Sequence, residues 1–123
     1  MVWLAGKPIP GVDEAVARLR GVGVRVLFAT NNALPTRAEL HRQLAHCGIT
    51  ADDADLLRSA DVAAGMLAPG SSAVVLGGDG VLEALASRGV PGHVYVDYAD
   101  PPVMPTGSAT ALVAHVPGPL LTA

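Results

Sequence analysis

The apolar run from Val24 to Ala29 ends abruptly at Thr30-Asn31-Asn32, and this junction constrains the fold more than any other stretch of the chain. Val24, Val26, Leu27, Phe28 and Ala29 follow Gly21 and Gly23 with Arg25 as their only charge, so the run reads as a short strand. A hydroxyl and two carboxamides come next. At the carboxyl end of such a strand Thr30 offers a hydroxyl and a backbone N–H to a phosphate, while Asn31 and Asn32 orient a substrate or brace the loop. The Asn pair also opens an ordinary turn, and spacing alone favours that plainer reading.

The flanking segments set this junction in an α/β pattern. Ile9-Pro10-Gly11 leads into Val12 to Arg20, where Val12, Ala15, Val16 and Leu19 recur at helical spacing and Asp13 and Glu14 lie at the positive end of the helix dipole. Gly21 is expected to close that helix. Beyond the Asn pair, Thr36 and Glu39 fit a capping box, Leu40 and Leu44 mark a buried stripe, and Gly48 is the expected C-terminal cap. Helix, strand, polar turn and helix in this order belong to an α/β fold with a parallel sheet. Further on, Val74 to Leu82 reads as another strand, turn and helix. Its Gly77-Gly78-Asp79-Gly80 falls short of a dinucleotide loop, because the third glycine of Gly-x-Gly-x-x-Gly would fall on Glu83; a tight strand-to-helix turn is the expectation.

Gly6-Lys7-Pro8-Ile9-Pro10-Gly11, the helix after it, Phe28-Ala29-Thr30-Asn31-Asn32 and Arg37 together resemble the haloacid dehalogenase superfamily of phosphatases. Within it the chain looks most like the NagD-like, p-nitrophenylphosphatase-like branch with a large α/β cap. Leu57-Arg58-Ser59-Ala60 and the segment Val74 to Leu82 extend the resemblance, which covers Val2 to about Val90. It implies part of a doubly wound parallel-sheet core over residues 1–35, a connector and partial cap over 36–98, and a proline-rich tail of uncertain structure over 99–123. It also implies a phosphoric monoester hydrolase that forms an aspartyl-phosphate, with magnesium as cofactor and a phosphorylated small molecule as substrate. Thr30, Asn31, Asn32 and Arg37 are the implied phosphate and substrate contacts, with Arg37 equally placed to form a surface pair or support the Asn turn.

No catalytic or metal residue is assigned. The family's Asp-x-Asp-Gly motif should stand immediately before Val2, and Met1-Val2-Trp3-Leu4-Ala5-Gly6 matches the family pattern just after that motif if Met1 replaces a valine. Since a GTG valine codon is also read as a start, the expectation is a start assigned too late and a fragment without activity of its own. The phosphoryl-binding lysine and the acidic motif expected after the cap are missing too, for Lys7 is the only lysine. Asp97 and Asp100 lack the neighbours of a metal motif and read as surface or turn residues.

From Pro101 to Ala123 there is no charged residue, and Pro101, Pro102, Pro105, Pro117 and Pro119 exclude an uninterrupted helix long enough for a bilayer of about 30 Å. Weak order is expected there, from a frameshift or an unrelated tail. Half the residues are hydrophobic but only four are aromatic, so the core is expected to be aliphatic. A net charge of −3 and scattered arginines argue against nucleic acid. The single cysteine, Cys47, reads as a small buried thiol in a reducing cytoplasm. His41 and His46, five apart, read as solvated rather than metal-binding. Ser59 and Ser108 lack the Gly-x-Ser-x-Gly setting of a nucleophile. The alternative to a phosphatase fragment is a noncatalytic α/β module that holds a phosphorylated ligand on the same turn.

Overall fold

The computed structural model describes residues 2–94 and the backbone of residues 109–113. In chain order the elements are β1 (Trp3–Leu4), β2 (Lys7–Pro8), α1 (Val12–Gly21), β3 (Phe28–Thr30), α2 (Arg37–His46), a 3₁₀ turn (Asp53–Asp55), β4 (Leu56–Arg58), α3 (Ser59–Gly65), β5 (Ser72–Leu76), α4 (Asp79–Ala86), β6 (Gly92–Val94) and β7 (Ala109–Val113). The expected α/β class with parallel pairing is what the chain adopts. It divides into two compact units, residues 1–29 with 37–57 and residues 30–36 with 58–123.

In the first unit, β1 and β2 form an antiparallel hairpin with Trp3 opposite Pro8 and Leu4 opposite Lys7. Its loop residues Ala5 and Gly6 both have positive φ, 49° and 76°, the backbone twist that a two-residue hairpin loop requires. Val16 of α1 and Leu40 and Leu44 of α2 pack with Cys47, Ile49 and Leu56, and Val2, Trp3, Val12, Val26 and Phe28 lie at the edge of this core. Cys47 is thus the buried thiol expected. Three arginines tie down the segment leading to β4: Arg20 donates to Thr50 O at 2.7 Å, Arg25 to Ala54 O at 2.9 Å, and Arg37 to Asp53 O at 3.1 Å. His41 is not simply solvated as expected, because its Nε2 lies 2.7 Å from Asp53 Oδ1.

Two local expectations need correction here. Gly21 is the last residue of α1 but not its left-handed cap. That residue is Gly23 (φ 81°), whose N–H bonds Arg20 O at 3.0 Å while the Val24 N–H bonds Leu19 O at 3.0 Å. This paired arrangement recurs after α2, where Gly48 (φ 76°) bonds Ala45 O and Ile49 bonds Leu44 O, and after α4, where Gly89 (φ 67°) bonds Ala86 O and Val90 bonds Leu85 O. The expected strand from Val24 to Ala29 is also shorter, since only Phe28–Thr30 is strand, paired with β4. No strand flanks Val24 to Leu27 among the described residues, and Val24 and Leu27 remain 46% exposed.

In the second unit, β5 lies between β6 and β7, parallel to both, with Ala73 opposite Gly92 and Thr110. A central parallel strand is covered on both faces, which is why Ala73, Val74 and Val75 are apolar without alternation. β7, Ala109-Thr110-Ala111-Leu112-Val113, is a proline-free, partly β-branched run between Pro105 and Pro117, and its backbone pairs along all of β5. The rest of that tail lies outside the described residues. Ala60 and Ala64 of α3 and Val81, Ala84 and Leu85 of α4 close over β5.

Arg58 is 2% exposed and fastens α3 to α4. Its Nε and Nη2 grip Asp61 at 2.8 and 2.6 Å, and its Nη1 reaches Glu83 at 2.5 Å. These bonds, with Asp61 first, hold the Arg58 pKa above its ordinary value although burial acts the other way. A raised arginine pKa contributes stability that would be lost only above the working pH range, so Arg58 is charged throughout it.

The helix-end correction is directly testable. Gly21→Ala, at a helical position with nothing within 4 Å of the added Cβ, should stabilise the protein by about 0.5–1 kcal/mol, and Gly23→Ala at φ 81° should destabilise it by about 1 kcal/mol or more. Urea denaturation of the two variants reads the sign of each change.

Candidate functional site

The polar turn after β3 is held by hydrogen bonds that occupy its acceptor atoms. Thr30 Oγ1 accepts the Asn32 backbone N–H at 3.1 Å, and Asn32 Oδ1 accepts the Leu34 N–H at 3.1 Å. Because Leu34 presents a donor, the carboxamide of Asn32 faces it with oxygen rather than nitrogen. Two backbone carbonyls are occupied from elsewhere in the same unit: Ser59 Oγ donates to Asn31 O at 3.1 Å, and the Gly80 N–H donates to Leu34 O at 2.9 Å. Thr30 is half-buried, whereas Asn31 and Asn32 are exposed.

The chemical consequence is a turn rich in donors. Once the Thr30 oxygen accepts an N–H, its hydroxyl proton is what it has to give. Once the Asn32 oxygen is engaged, its amide nitrogen carries two protons for a ligand. A site of this polarity suits the oxygens of an anion. Arg58, the buried cation of this unit, is not such a donor, because Asp61 takes both atoms of one edge of the guanidinium and Glu83 takes Nη1.

Among the expected site residues, Thr30, Asn31 and Asn32 therefore share one braced turn. Arg37 belongs to the other compact unit, in the first turn of α2, and donates to Asp53 O. Among the described residues, no group of three or more His, Cys, Asp or Glu side chains is placed to hold a metal ion. Asp97, Asp100 and Ser108 lie outside the described residues.

Comparison with known proteins bears on this geometry. A family model described as haloacid dehalogenase-like hydrolase matches residues 1–91. The chain belongs to that family. Phosphoglycolate phosphatase 2 of Arabidopsis thaliana is 30% identical over 98 residues, covering 75% of this chain and 33% of that one. A p-nitrophenyl phosphatase from Archaeoglobus fulgidus superposes with a TM-score of 0.65 at 26% identity, over 80% of this chain and 38% of the other. A glycerol phosphate phosphatase from Mycobacterium tuberculosis, in complex with magnesium, does so with a TM-score of 0.66 at 25% identity, over 96% and 34%. These likenesses agree with the NagD-like, p-nitrophenylphosphatase-like branch read from the sequence. The chain spans about a third or less of the length of the curated relatives it matches. No helix among the described residues is long and apolar enough to cross a membrane.

Sequence reasoning missed Ser59 and Gly80 as braces of the turn. In the sequence Ser59 stands out only as a hydroxyl without the setting of a nucleophile, and the sole signal for Gly80 is the density of glycine at 77, 78 and 80, where a helix is starting.

If the side-chain bonds hold the turn, Thr30→Val should expose the Asn32 amide to faster hydrogen exchange and cost about 1 kcal/mol, whereas Thr30→Ser should preserve its protection. Amide exchange followed by NMR distinguishes the two variants.

Proposed function

We propose that this chain carries the phosphate-binding part of a phosphatase of the haloacid dehalogenase-like family, acting on a phosphorylated small molecule. The observation that supports this most is the turn in which Thr30 Oγ1 and Asn32 Oδ1 each accept a backbone N–H, leaving the Thr30 hydroxyl proton and the Asn32 amide protons to be donated. In this reading Thr30 and Asn32 hold phosphoryl oxygens and Asn31 presents its carboxamide beside them. Residues 1–35 belong to the catalytic core and 36–98 to the connector and cap, as the resemblance implies. Phosphoglycolate and glycerol phosphate, named in the relatives, are small phosphate monoesters of the class proposed. A lone thiol buried in a core, Cys47, fits a reducing cytoplasm.

The described residues do not fit a magnesium site, so no step is derived through the metal. The sequence also contains no Asp-x-Asp-Gly to supply the nucleophile and the general acid. What these residues contribute is binding and orientation of the phosphoryl group, with neutral dipoles stabilising its charge. The chain by itself is then a binder without turnover.

Asn32→Asp separates folding from function. The substituted carboxylate keeps an oxygen for the Leu34 N–H, but it replaces the donating amide with a negative charge. Titration of the chain with inorganic phosphate, followed by NMR, should shift the Thr30 and Asn32 resonances saturably; Asn32→Asp should abolish the response while Leu34 stays protected. Equal binding by the variant, or none by the parent, would overturn the site. Hydrolysis of p-nitrophenyl phosphate should be absent from the chain alone and appear when an upstream-encoded segment bearing an in-frame Asp-x-Asp-Gly is joined to it. Phosphate binding with no activity after such extension would instead favour a noncatalytic module.

A further inference from the structure

Gly80 occupies a position where only glycine fits, for a reason of space. Its φ is not left-handed, so any residue adopts its backbone conformation. A Cβ there, however, would stand 2.3 Å from Pro35 O, 2.6 Å from Ala33 O and 2.8 Å from the Pro35 carbonyl carbon. At Gly78 an added Cβ would lie 3.1 Å from both Leu34 O and Leu34 Cδ2. The backbone of Ala33, Leu34 and Pro35 thus lies directly on the glycine-rich start of α4, and the Gly80 N–H donates to the Leu34 carbonyl at 2.9 Å. The N-terminus of a helix normally offers such N–H groups to an anion or a capping side chain. Here the Gly80 donor is taken by the chain itself, and Gly78 at the N-cap position has no side chain to cap with.

Leu34 joins this contact to the turn. Its carbonyl receives the Gly80 N–H, its own N–H goes to Asn32 Oδ1, and the Asn32 N–H goes to Thr30 Oγ1. Three hydrogen bonds in series therefore run from helix α4 to the hydroxyl of Thr30. We propose that Gly80 is a positioning residue for the anion-binding turn, setting through Leu34 the direction in which the Asn32 amide and the Thr30 hydroxyl present their protons. This rests on the reading of that turn as the phosphate site. Gly80 touches no ligand. Displacing Leu34 by even part of an ångström would swing the Asn32 carboxamide, and misplacement of about 1 Å by a distant change is enough to cost up to about 10²-fold in function.

The test uses the full chain with Gly80→Ala and Gly78→Ala, read by amide exchange at Leu34 and Asn32, by urea denaturation, and by NMR titration with inorganic phosphate. In the parent, the Gly80 and Leu34 amides should be protected. In folded Gly80→Ala the Leu34 amide should lose protection and phosphate affinity should fall about tenfold or more, while Val75 in the core strand stays protected. Gly78→Ala, where the neighbour need yield only a few tenths of an ångström, should show the same changes at roughly two- to threefold in affinity; it carries the test if Gly80→Ala does not fold. A merely structural glycine would lower stability and leave the affinity of the folded protein unchanged, and that result overturns the proposal. Unprotected Gly80 and Leu34 amides in the parent would overturn it as well. If the parent binds no phosphate but Leu34 loses protection in the variants, the positioning contact stands and the phosphate reading falls.

Discussion

The hydrogen bond from Gly80 to the Leu34 carbonyl is the contact on which the second unit's polar turn depends. A backbone hydrogen bond of this kind contributes on the order of 1 kcal/mol net, too little to fix a loop by itself. Its force comes from the steric setting. The carbonyls of Ala33 and Pro35 fill the space that a side chain at Gly80 would need, so the segment is held by close packing as well as by the bond. Ser59, the first residue of α3, braces the same turn at Asn31. The two helices that present these braces are in turn joined by Arg58, which spans Asp61 of α3 and Glu83 of α4. Removing that buried cation would take from two carboxylates the charge that joins them, the less favourable side of a buried ion pair.

Charge matters less at this turn than polarity. The chain is acidic overall, and the buried guanidinium of its second unit is neutralised by its own carboxylates. An anion meeting Thr30 and Asn32 would be held by oriented neutral donors, which require no counter-charge but demand that their acceptors be occupied elsewhere. Two bonds of the turn bear on that demand: with Thr30 Oγ1 accepting the Asn32 N–H and Asn32 Oδ1 accepting the Leu34 N–H, the hydroxyl proton and the amide N–H2 are left to donate.

Much of this was legible in the sequence because the signals are local. Helical spacing placed α1 and α2, the Thr30-Asn31-Asn32 junction marked a strand end, and Gly48 marked a helix end where its left-handed backbone is found. Gly21 and Gly23 are two residues apart, and composition does not say which of two nearby glycines takes positive φ. The strand before Thr30 is shorter than its apolar run because pairing, not hydrophobicity, makes a strand, and only Phe28–Thr30 forms the strand that lies beside β4. What Arg58 and Gly80 join was hidden for a different reason. Arg58 reaches Glu83 25 positions away, beyond its local partner Asp61, and Gly80 reaches Leu34 46 positions away, and nothing in the local pattern announces such contacts. The hairpin at Trp3 to Pro8 and the strand at Ala109 to Val113 are likewise pairings that single segments do not reveal.

A crystal of the chain soaked in tungstate, a phosphate mimic with a strong anomalous signal, would show whether the braced turn holds an oxyanion. Tungstate should lie within hydrogen-bonding distance of the Thr30 hydroxyl and the Asn32 amide nitrogen, with the Gly80 to Leu34 bond intact beneath it. Tungstate bound at the start of α4 in place of the Leu34 carbonyl, or bound elsewhere with the turn bare, would contradict that assignment.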